Sequence, residues 1–293
     1  MKFHTTLLCT AMGMACLASA HADTLSKVRD RGQITLAYRE SSVPFSYLDG
    51  GKPIGMTVEI SNAIADAVKK ALNKPDLKVA WQAVTSQNRI PLLVNGTIDL
   101  ECGSTTNNTT RGKDVDFGIN HFYTGTRLLV KKNSGIQNYS DLKGKTVAIT
   151  SGTTNLQVMR KANAEHSWGF DIVMPKDHAD GFLLVESGRA AAFGMDDILL
   201  YGLIANAKNS KDFAVVADDL QVEPYACMLR KDDPAFKQLV DGVIGGMMKS
   251  GEFTRLYDKW FLQPIPPTHT ALGLPMGDAL KKNLAEQSDK PAF

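Results

Sequence analysis

In residues 146–174, TVAITSGTTNLQVMRKANAEHSWGFDIVM, a strand, a helix and a second strand follow one another. Residues 146–150 and 170–174 are short apolar runs of the length expected for buried strands. Between them, Ser151-Gly152-Thr153-Thr154 combines a turn residue with hydroxyl residues that cap helices. A strand that leads through such a turn into a helix and then into another strand is the basic unit of an α/β fold.

The same alternation extends outward over most of the chain. Helices are predicted at residues 57–72, 89–94, 178–186, 197 onward, 234–249 and 252–261, and strands at 33–38, 77–83, 98–102, 126–131, 190–194, 214–217 and 225–229. This pattern predicts sheets that contain parallel strand pairs and are covered by helices, with ligand sites at the carboxyl ends of the strands. A tail begins near Pro264, and its polar end, residues 287–293, is predicted to fray.

The N-terminus has the three parts of a secretory signal peptide. Lys2 supplies a basic start, residues 7–18 are mostly apolar, and Ala20-His21-Ala22 is a cleavage site of the A-x-A type. The apolar run is shorter than the roughly 20 residues that span a bilayer. We therefore predict a signal peptide of residues 1–22, with cleavage after Ala22 and export to the periplasm. A buried helix and a lipid anchor at Cys16 are the alternatives.

Length and charge limit the classes of function. A chain of 293 residues usually forms one large or two medium domains. Its formal net charge of +2 is spread along the chain without a basic block, which gives no electrostatic case for binding nucleic acid. The spacings of cysteine and histidine that mark structural zinc sites do not occur, and we predict neither a metal nor a cofactor.

Cysteine usage is consistent with export. Cys9 and Cys16 belong to the predicted signal peptide, which leaves Cys102 and Cys227 in the mature chain. These two residues either form one disulfide or remain buried thiols. An oxidising compartment favours the disulfide.

Seven short motifs, spread over nearly all of the predicted mature chain, resemble a known family. They are GMTVEI (55–60), NGTIDL (95–100), TTR (109–111), LKGK (142–145), SGTT (151–154), GMD (194–196) and KWF (259–261). Each motif is weak alone, but their order and spacing resemble the extracellular solute-binding proteins that serve ABC permeases for polar amino acids. The chain departs from that family at Met56-Thr57, where an aromatic and an acidic residue are usual, and at Gly118, where serine is usual.

Four further segments resemble the glutamate/aspartate-binding members of that family more narrowly. They are RESSVPF (39–45), TSQNRIP (85–91), ECGSTTNN (101–108) and KDH (176–178). The resemblance implies a type II periplasmic binding protein, with two α/β lobes, two crossover strands and a ligand cleft between the lobes. Lobe 1 would contain residues 23–124 and 226–293, and lobe 2 residues 125–225. The crossovers would lie near residues 123–130 and 220–228.

The same resemblance implies a ligand site. Its nine residues are Arg39, Ser86, Arg89, Ser104, Thr106, Arg111, Thr154, His178 and Asp196. Arg111 is implied to hold the α-carboxylate of an amino acid, with help from Thr106 and Thr154. Asp196 is implied to bind the α-ammonium, with Ser104 and Thr106 completing its hydrogen bonds.

The other implied residues form a pocket for a second carboxylate, that of an acidic side chain. Arg39, Ser86, Arg89 and His178 contribute to this pocket. Arginine suits the task because its planar fork bonds both carboxylate oxygens. Three arginines against one aspartate leave two net positive charges, and a neutral amino acid would leave Arg39 and Arg89 without a carboxylate. An uncompensated buried charge costs about 3 to 5 kcal/mol.

Each of these residues also has an ordinary interpretation. Arg39 and Arg89 could be solvated surface charges, and Arg111 could pair with Asp114 or Asp116. The remaining predicted site residues could be helix caps, helix N-terminal residues or strand-end hydroxyls.

The resemblance implies a monomeric, non-enzymatic receptor that captures glutamate or aspartate, closes by a hinge and presents its ligand to an ABC permease. The alternative is an enzyme on the same fold, such as a cyclohexadienyl dehydratase. Asp196 favours the receptor, because prephenate has no ammonium group for it to pair with. A third possibility, the sensing domain of a membrane receptor, would normally need a membrane span. The sequence does not rank glutamate against aspartate, since one methylene is worth only about 1 to 3 kcal/mol.

Overall fold

The computed structural model describes residues 23–292, which form a mixed α/β protein. The predicted signal peptide, residues 1–22, and Phe293 lie outside the described residues. The helices are α1 (Thr24–Arg31), α2 (Met56–Ala71), α3 (Arg89–Val94), α4 (Thr154–His166), α5 (His178–Glu186), α6 (Asp197–Asn206), α7 (Pro234–Ser250), α8 (Glu252–Tyr257) and α9 (Asp278–Glu286). The strands are β1 (Gln33–Tyr38), β2 (Ser41–Ser42), β3 (Ser46–Asp49), β4 (Lys52–Ile54), β5 (Lys78–Ala83), β6 (Leu100–Glu101), β7 (Val115–Phe117), β8 (Phe122–Lys131), β9 (Thr146–Ala148), β10 (Asp171–Val173), β11 (Ala192–Asp196), β12 (Phe213–Val216), β13 (Val222–Tyr225) and β14 (Met228–Arg230).

The first large sheet has the strand order β5-β1-β6-β14-β7. In this sheet β1 pairs in parallel with both β5 and β6, whereas β14 runs antiparallel to β6 and β7. The carboxyl ends of β1, β5 and β6 therefore lie along one edge. The segments that follow these three strands carry six of the predicted site residues.

The second large sheet has the order β10-β9-β11-β8-β12. Its strands β9, β10 and β11 are parallel, and α4, α5 and α6 follow them in the chain. The three helices begin at the carboxyl ends of these strands, where Thr154, His178 and Asp196 lie. A small antiparallel sheet, β2-β3-β4, precedes α2.

Two neighbouring strands connect the large sheets. β8 leads from the first sheet into the second, and β13 leads back towards β14. They pair antiparallel, with Phe122 opposite Tyr225 and Gly125 opposite Val222. The chain therefore crosses between the sheets twice at the same place.

Local sequence explains where the main helices begin and end. Gly55, before α2, has φ 130°, and a Cβ there would overlap the carbonyl oxygen of Phe45, so only glycine fits. Before α7, the Asp233 carboxylate accepts a hydrogen bond from the Phe236 N–H at 3.1 Å, and Gly251 ends the helix with φ 76°. None of the helices within residues 23–292 combines the length and the apolar character needed to cross a membrane.

Cys102 and Cys227 form a disulfide, which confirms the favoured of the two sequence interpretations. Cys102 follows β6, and Cys227 lies between β13 and β14. The bond therefore joins the first sheet to the segment by which the chain returns from the second sheet. Its partners are 125 residues apart in sequence, so the loop that it closes in the unfolded chain is long.

Replacing both cysteines, Cys102→Ala with Cys227→Ala, is expected to destabilise the fold. Loss of loop closure over 125 residues corresponds to at most about 5 kcal/mol in chain entropy. The melting temperature should fall by about 5 to 15 °C in thermal denaturation followed by circular dichroism. Wild-type protein in a reducing buffer should melt like the double variant, and an unchanged melting temperature in both samples would contradict the expectation.

Two sequence expectations about the C-terminal third were wrong. The strand predicted at 225–229 is interrupted between Tyr225 and Met228, because the chain leaves its pairing with β8 there and joins β6 and β7. The end of the tail does not fray within the described residues. The Ala292 N–H donates to the carbonyl of Asn107 at 3.0 Å, and the Asn120 N–H donates to the carbonyl of Ser288 at 3.0 Å.

Candidate functional site

The nine predicted site residues come together where segments of the two large sheets meet. Arg39 follows β1, Ser86 and Arg89 follow β5, Ser104 and Thr106 follow β6, Arg111 precedes β7, Thr154 begins α4, His178 begins α5 and Asp196 ends β11. All except Arg111, which is half-buried, are 5% exposed or less. The interpretation of Arg39 and Arg89 as solvated surface charges is therefore wrong.

Arg39 spans the two sides of the site. Its Nη2 donates to the Asp177 carboxylate at 3.3 Å and lies 3.1 Å from His178 Nε2, so it contacts the segment before α5. Its Nε and Nη1 have no hydrogen-bond partner among the described residues. A wholly buried guanidinium with two free donor atoms is costly unless a further acceptor binds there.

Arg89, at the start of α3, repeats this arrangement. Its Nη1 donates to the Ser104 carbonyl at 3.0 Å and to the Thr105 hydroxyl, whereas its Nε is unpartnered. The buried hydroxyl of Ser86, three residues earlier, also lacks a partner among residues 23–292. Burial and the neighbouring positive charge of Arg111 lower the pKa of Arg89 to about 9, so it remains charged at neutral pH.

These free donors share one chemical requirement. Two buried guanidinium groups and one serine hydroxyl offer Arg39 Nε, Arg39 Nη1, Arg89 Nε and Ser86 Oγ, and none of these atoms is satisfied by the described residues. A carboxylate has two oxygens with about four acceptor positions and would satisfy this set.

Arg111 occupies a separate position. Its Nη1 donates to the Thr106 carbonyl at 2.9 Å and its Nη2 to the Gly152 carbonyl at 3.4 Å. The alternative that Arg111 pairs with Asp114 or Asp116 finds no support, since Asp116 instead bonds Lys231 at 2.7 Å. Arg111 thus joins the loop after β6 to the turn before α4.

Asp196 is wholly enclosed among polar groups. Asn155 Nδ2 donates to its Oδ1 at 2.8 Å, and the Tyr225 hydroxyl donates to its Oδ2. Although Asp196 precedes α6, its side chain does not cap the helix, which disfavours the cap interpretation. Burial and the neighbouring Glu223 raise the pKa of Asp196 to about 7. A cation at this place would hold the aspartate in its charged form.

His178 is neutral, and both of its ring nitrogens have hydrogen-bond partners. Burial and the positive charge of Arg39 lower its pKa to about 3. Because Arg39 has only donors, His178 Nε2 must accept, and so Nδ1 carries the proton and donates to the Thr150 hydroxyl at 3.0 Å. Both ring nitrogens are therefore used within the protein, and the ring fixes the orientation of Arg39.

Three further carboxylates belong to the site, and the family resemblance implied a role for none of them. Asp177 bonds Arg39, Glu101 accepts from the Thr105 hydroxyl at 2.5 Å, and Glu223 accepts from the Thr106 and Thr154 hydroxyls. The expected excess of two positive charges was therefore wrong. With these three and Asp196 all ionised, the local balance is one negative charge. The positive character of the pocket comes from the free donors of Arg39 and Arg89, not from net charge.

The sequence pattern of the bacterial extracellular solute-binding proteins, family 3, matches residues 34–263. The chain belongs to this family. The match spans both large sheets and every residue of the candidate site. It ends before α9, so the tail that bonds Asn107 and Asn120 lies outside the part common to the family.

Two family members with curated names resemble this chain over nearly its full length. The L-glutamate/L-aspartate-binding protein of Pseudomonas aeruginosa is 49% identical over 299 residues, which covers 100% of this chain and 99% of that protein. The glutamate/aspartate import solute-binding protein of Escherichia coli K12 is 48% identical over 274 residues, covering 93% of this chain and 91% of that protein. Among solved structures, a mutant of ArgBP from T. maritima has a TM-score of 0.72 at 27% identity and covers 81% of this chain and 98% of its own. The expected type II binding-protein fold is confirmed.

Gly152 is a point of close backbone contact between the two sides of the site. It has φ 75°, and a Cβ there would lie 2.6 Å from Gln87 Cα and 2.8 Å from the carbonyl carbon of Ser86. These neighbours are backbone atoms and cannot rotate away. The turn before α4 can therefore approach the loop before α3 only because residue 152 has no side chain.

We expect Gly152→Ala to weaken ligand binding by at least about tenfold, because the new methyl group would force the two sides apart. Gly144→Ala is the matched control: Gly144 also has a positive φ, 69°, but nothing lies within 4 Å of the added Cβ. Both variants share the backbone strain, so calorimetric titration should separate them by affinity alone. Equal loss in the two variants would contradict the steric explanation.

Proposed function

We propose that this chain is an extracytoplasmic solute-binding protein that captures L-glutamate or L-aspartate and delivers it to the membrane subunits of an ABC permease. The observation that carries this proposal is the set of unsatisfied buried donors on Arg39, Arg89 and Ser86. They form a carboxylate pocket beside a second carboxylate position at Arg111 and an ammonium position at Asp196. An acidic amino acid has these three groups.

The ligand would lie between the three charged positions. Its α-carboxylate would bind Arg111 and the free backbone N–H groups at the start of α4, where the helix N-terminus favours an anion. Its α-ammonium would bind Asp196, and its side-chain carboxylate would bind the free donors of Arg39 and Arg89. Every charge of the ligand would then have a partner of opposite sign, which offsets the cost of removing these charges from water.

Binding and release would follow hinge closure of two lobes. We propose the division made from the sequence, with residues 23–124 and 226–293 as lobe 1 and residues 125–225 as lobe 2. The paired strands β8 and β13 would serve as the hinge. The Arg39 bond to Asp177 and the Arg111 bond to the Gly152 carbonyl both join the two lobes and would form as the cleft closes.

The proposed setting follows from the same argument. The receptor would act as a monomer in the periplasm after cleavage behind Ala22, where it meets both solute and permease. The relatives that resemble it over nearly its full length are named as binding proteins, which does not favour the dehydratase alternative.

A ligand screen tests the proposal. Protein freed of bound solute by unfolding and refolding is heated with each of the twenty amino acids and with prephenate at one concentration, since a ligand that binds more tightly raises the melting temperature further. Glutamate and aspartate should give the largest shifts. Selective stabilisation by a neutral or basic amino acid, or conversion of prephenate to phenylpyruvate, would overturn the proposal.

A further inference from the structure

Glu223 is a wholly buried carboxylate in the middle of the connecting strand β13. Its Oε2 accepts a hydrogen bond from Thr106 Oγ1 at 2.6 Å and another from Thr154 Oγ1 at 2.7 Å. Its Oε1 accepts from Gln221 Nε2 at 2.5 Å. Both threonines belong to the candidate site, and they come from opposite sides of it.

The protons of these two hydroxyls are both used in hydrogen bonds to Glu223. A hydroxyl has one proton to donate, and an ionised carboxylate can only accept. The Thr106 and Thr154 oxygens are 3.2 Å apart, a longer contact than either makes with Glu223. Each hydroxyl therefore donates to Glu223 and has only lone pairs left to offer a ligand.

Lone pairs discriminate between the ends of an amino acid. They accept hydrogen bonds from an ammonium group and repel a carboxylate. The resemblance implied that both threonines assist Arg111 in holding the α-carboxylate and that Thr106 also bonds the α-ammonium. The contacts with Glu223 leave both hydroxyls as acceptors, which fits the α-ammonium and not the α-carboxylate.

We propose that Glu223 is a specificity-determining residue, which orients the Thr106 and Thr154 hydroxyls so that the site demands an α-ammonium group on its ligand. The inference rests on the proposed function, because it takes an amino acid as the ligand. Glu223 also places a second buried carboxylate near Asp196, so an ammonium group meets two negative charges and two oriented hydroxyl oxygens. A dicarboxylate that lacks the amine is repelled by the same two carboxylates and hydroxyl oxygens.

The decisive comparison uses L-glutamate and glutarate, which has both carboxylates but no amine. Calorimetric titration measures the affinity of each for wild-type protein and for Glu223→Gln. The glutamine amide can donate to the threonine oxygens and reverse their orientation. Glutamate affinity should fall by about 10- to 100-fold, whereas glutarate affinity should stay level or rise. A residue that only holds the fold together would weaken both ligands by the same factor.

Asp219→Asn is the matched control, since it removes the same charge from the exposed segment that leads into β13. Its preference for glutamate over glutarate should equal that of the wild type. Should Glu223→Gln fail to fold, Thr154→Val tests the same point with little change of shape. It removes one acceptor and should lower the affinity for glutamate but not for glutarate. If Thr154 instead donates to a carboxylate of the ligand, the affinity for both ligands should fall.

The outcomes separate the two proposals. If wild-type protein does not bind glutamate, the proposed function fails. If wild-type protein binds glutamate well but the variants weaken glutamate and glutarate equally, only the role of Glu223 fails.

Discussion

Arg89→Met should reduce glutamate affinity by about 10²- to 10³-fold and glutamine affinity by less than about tenfold. Arg89 is 2% exposed, and its Nε is free to bond a ligand. Removing one partner of a buried charge pair leaves the other uncompensated, at about 3 to 5 kcal/mol. Methionine keeps most of the side-chain volume, so the loss reflects the charge and its hydrogen bonds. The hydrogen bonds of Arg89 go to Ser104 and Thr105 on its own side of the cleft, so its replacement should not disturb closure.

Arg160→Met serves as the control for this variant. Arg160 lies on the exposed side of α4, the helix that Thr154 begins, and its loss changes the net charge of the chain by the same amount. Glutamate affinity measured by calorimetric titration should change by no more than about twofold. An equal loss of glutamate and glutamine affinity in Arg89→Met would show that Arg89 does not select for the side-chain carboxylate.

Asp196→Asn should weaken glutamate binding by about 10²- to 10³-fold and remove a pH dependence that the wild type shows. Burial and Glu223 raise the pKa of Asp196 to about 7 in the ligand-free protein. The α-ammonium requires the ionised form, so wild-type affinity should decline as the pH falls below about 7, by up to about tenfold per pH unit. His178, whose pKa burial and Arg39 lower to about 3, contributes nothing to this change between pH 5 and pH 8.

The contribution of Asp196 to the stability of the ligand-free protein should change with pH in the opposite direction to the affinity, so that it falls as the pH rises. The folded pKa of Asp196 lies above its unfolded value of 3.8, so the folded state holds a proton that the unfolded state releases. This contribution is present at low pH and is lost as the pH rises to about 7.

Exposed Asp180 supplies the control for the affinity prediction, because Asp180→Asn should alter neither the affinity for glutamate nor its pH profile. A pH profile that is the same in Asp196→Asn and the wild type would contradict the assignment.

Regular elements with a clear pattern were predictable from the sequence. The apolar periodicity before Leu72 predicted α2 to within a residue, and the predicted bounds of α3 and α5 agree with the structure. The strands β2, β3 and β4 were missed because they have two to four residues each, too few for an alternating pattern to register. Helix α9 was missed because it lies in a polar tail and has only two large apolar residues, Leu280 and Leu284, which are too few to read a period from.

The residues of the candidate site also fall into those that the sequence identified and those that it missed. Positions such as Arg39, Arg89 and Arg111 were identified because they sit in motifs that resemble a family, and the structure brings them together. Glu223 was missed since a carboxylate within a short strand looks like a solvent-facing residue in an alternating pattern. Only the pairing of β13 with β8 places it inside, against Thr106 and Thr154.

Calorimetric titration of solute-free protein at pH 8 with L-glutamate and, separately, with L-glutamine is the most direct test of the account. The two ligands have nearly the same shape and differ in one group, a carboxylate against an uncharged amide. If the buried guanidinium donors select for a second carboxylate, glutamine should bind at least about 10²-fold more weakly than glutamate. Affinities within about threefold of each other would contradict the account.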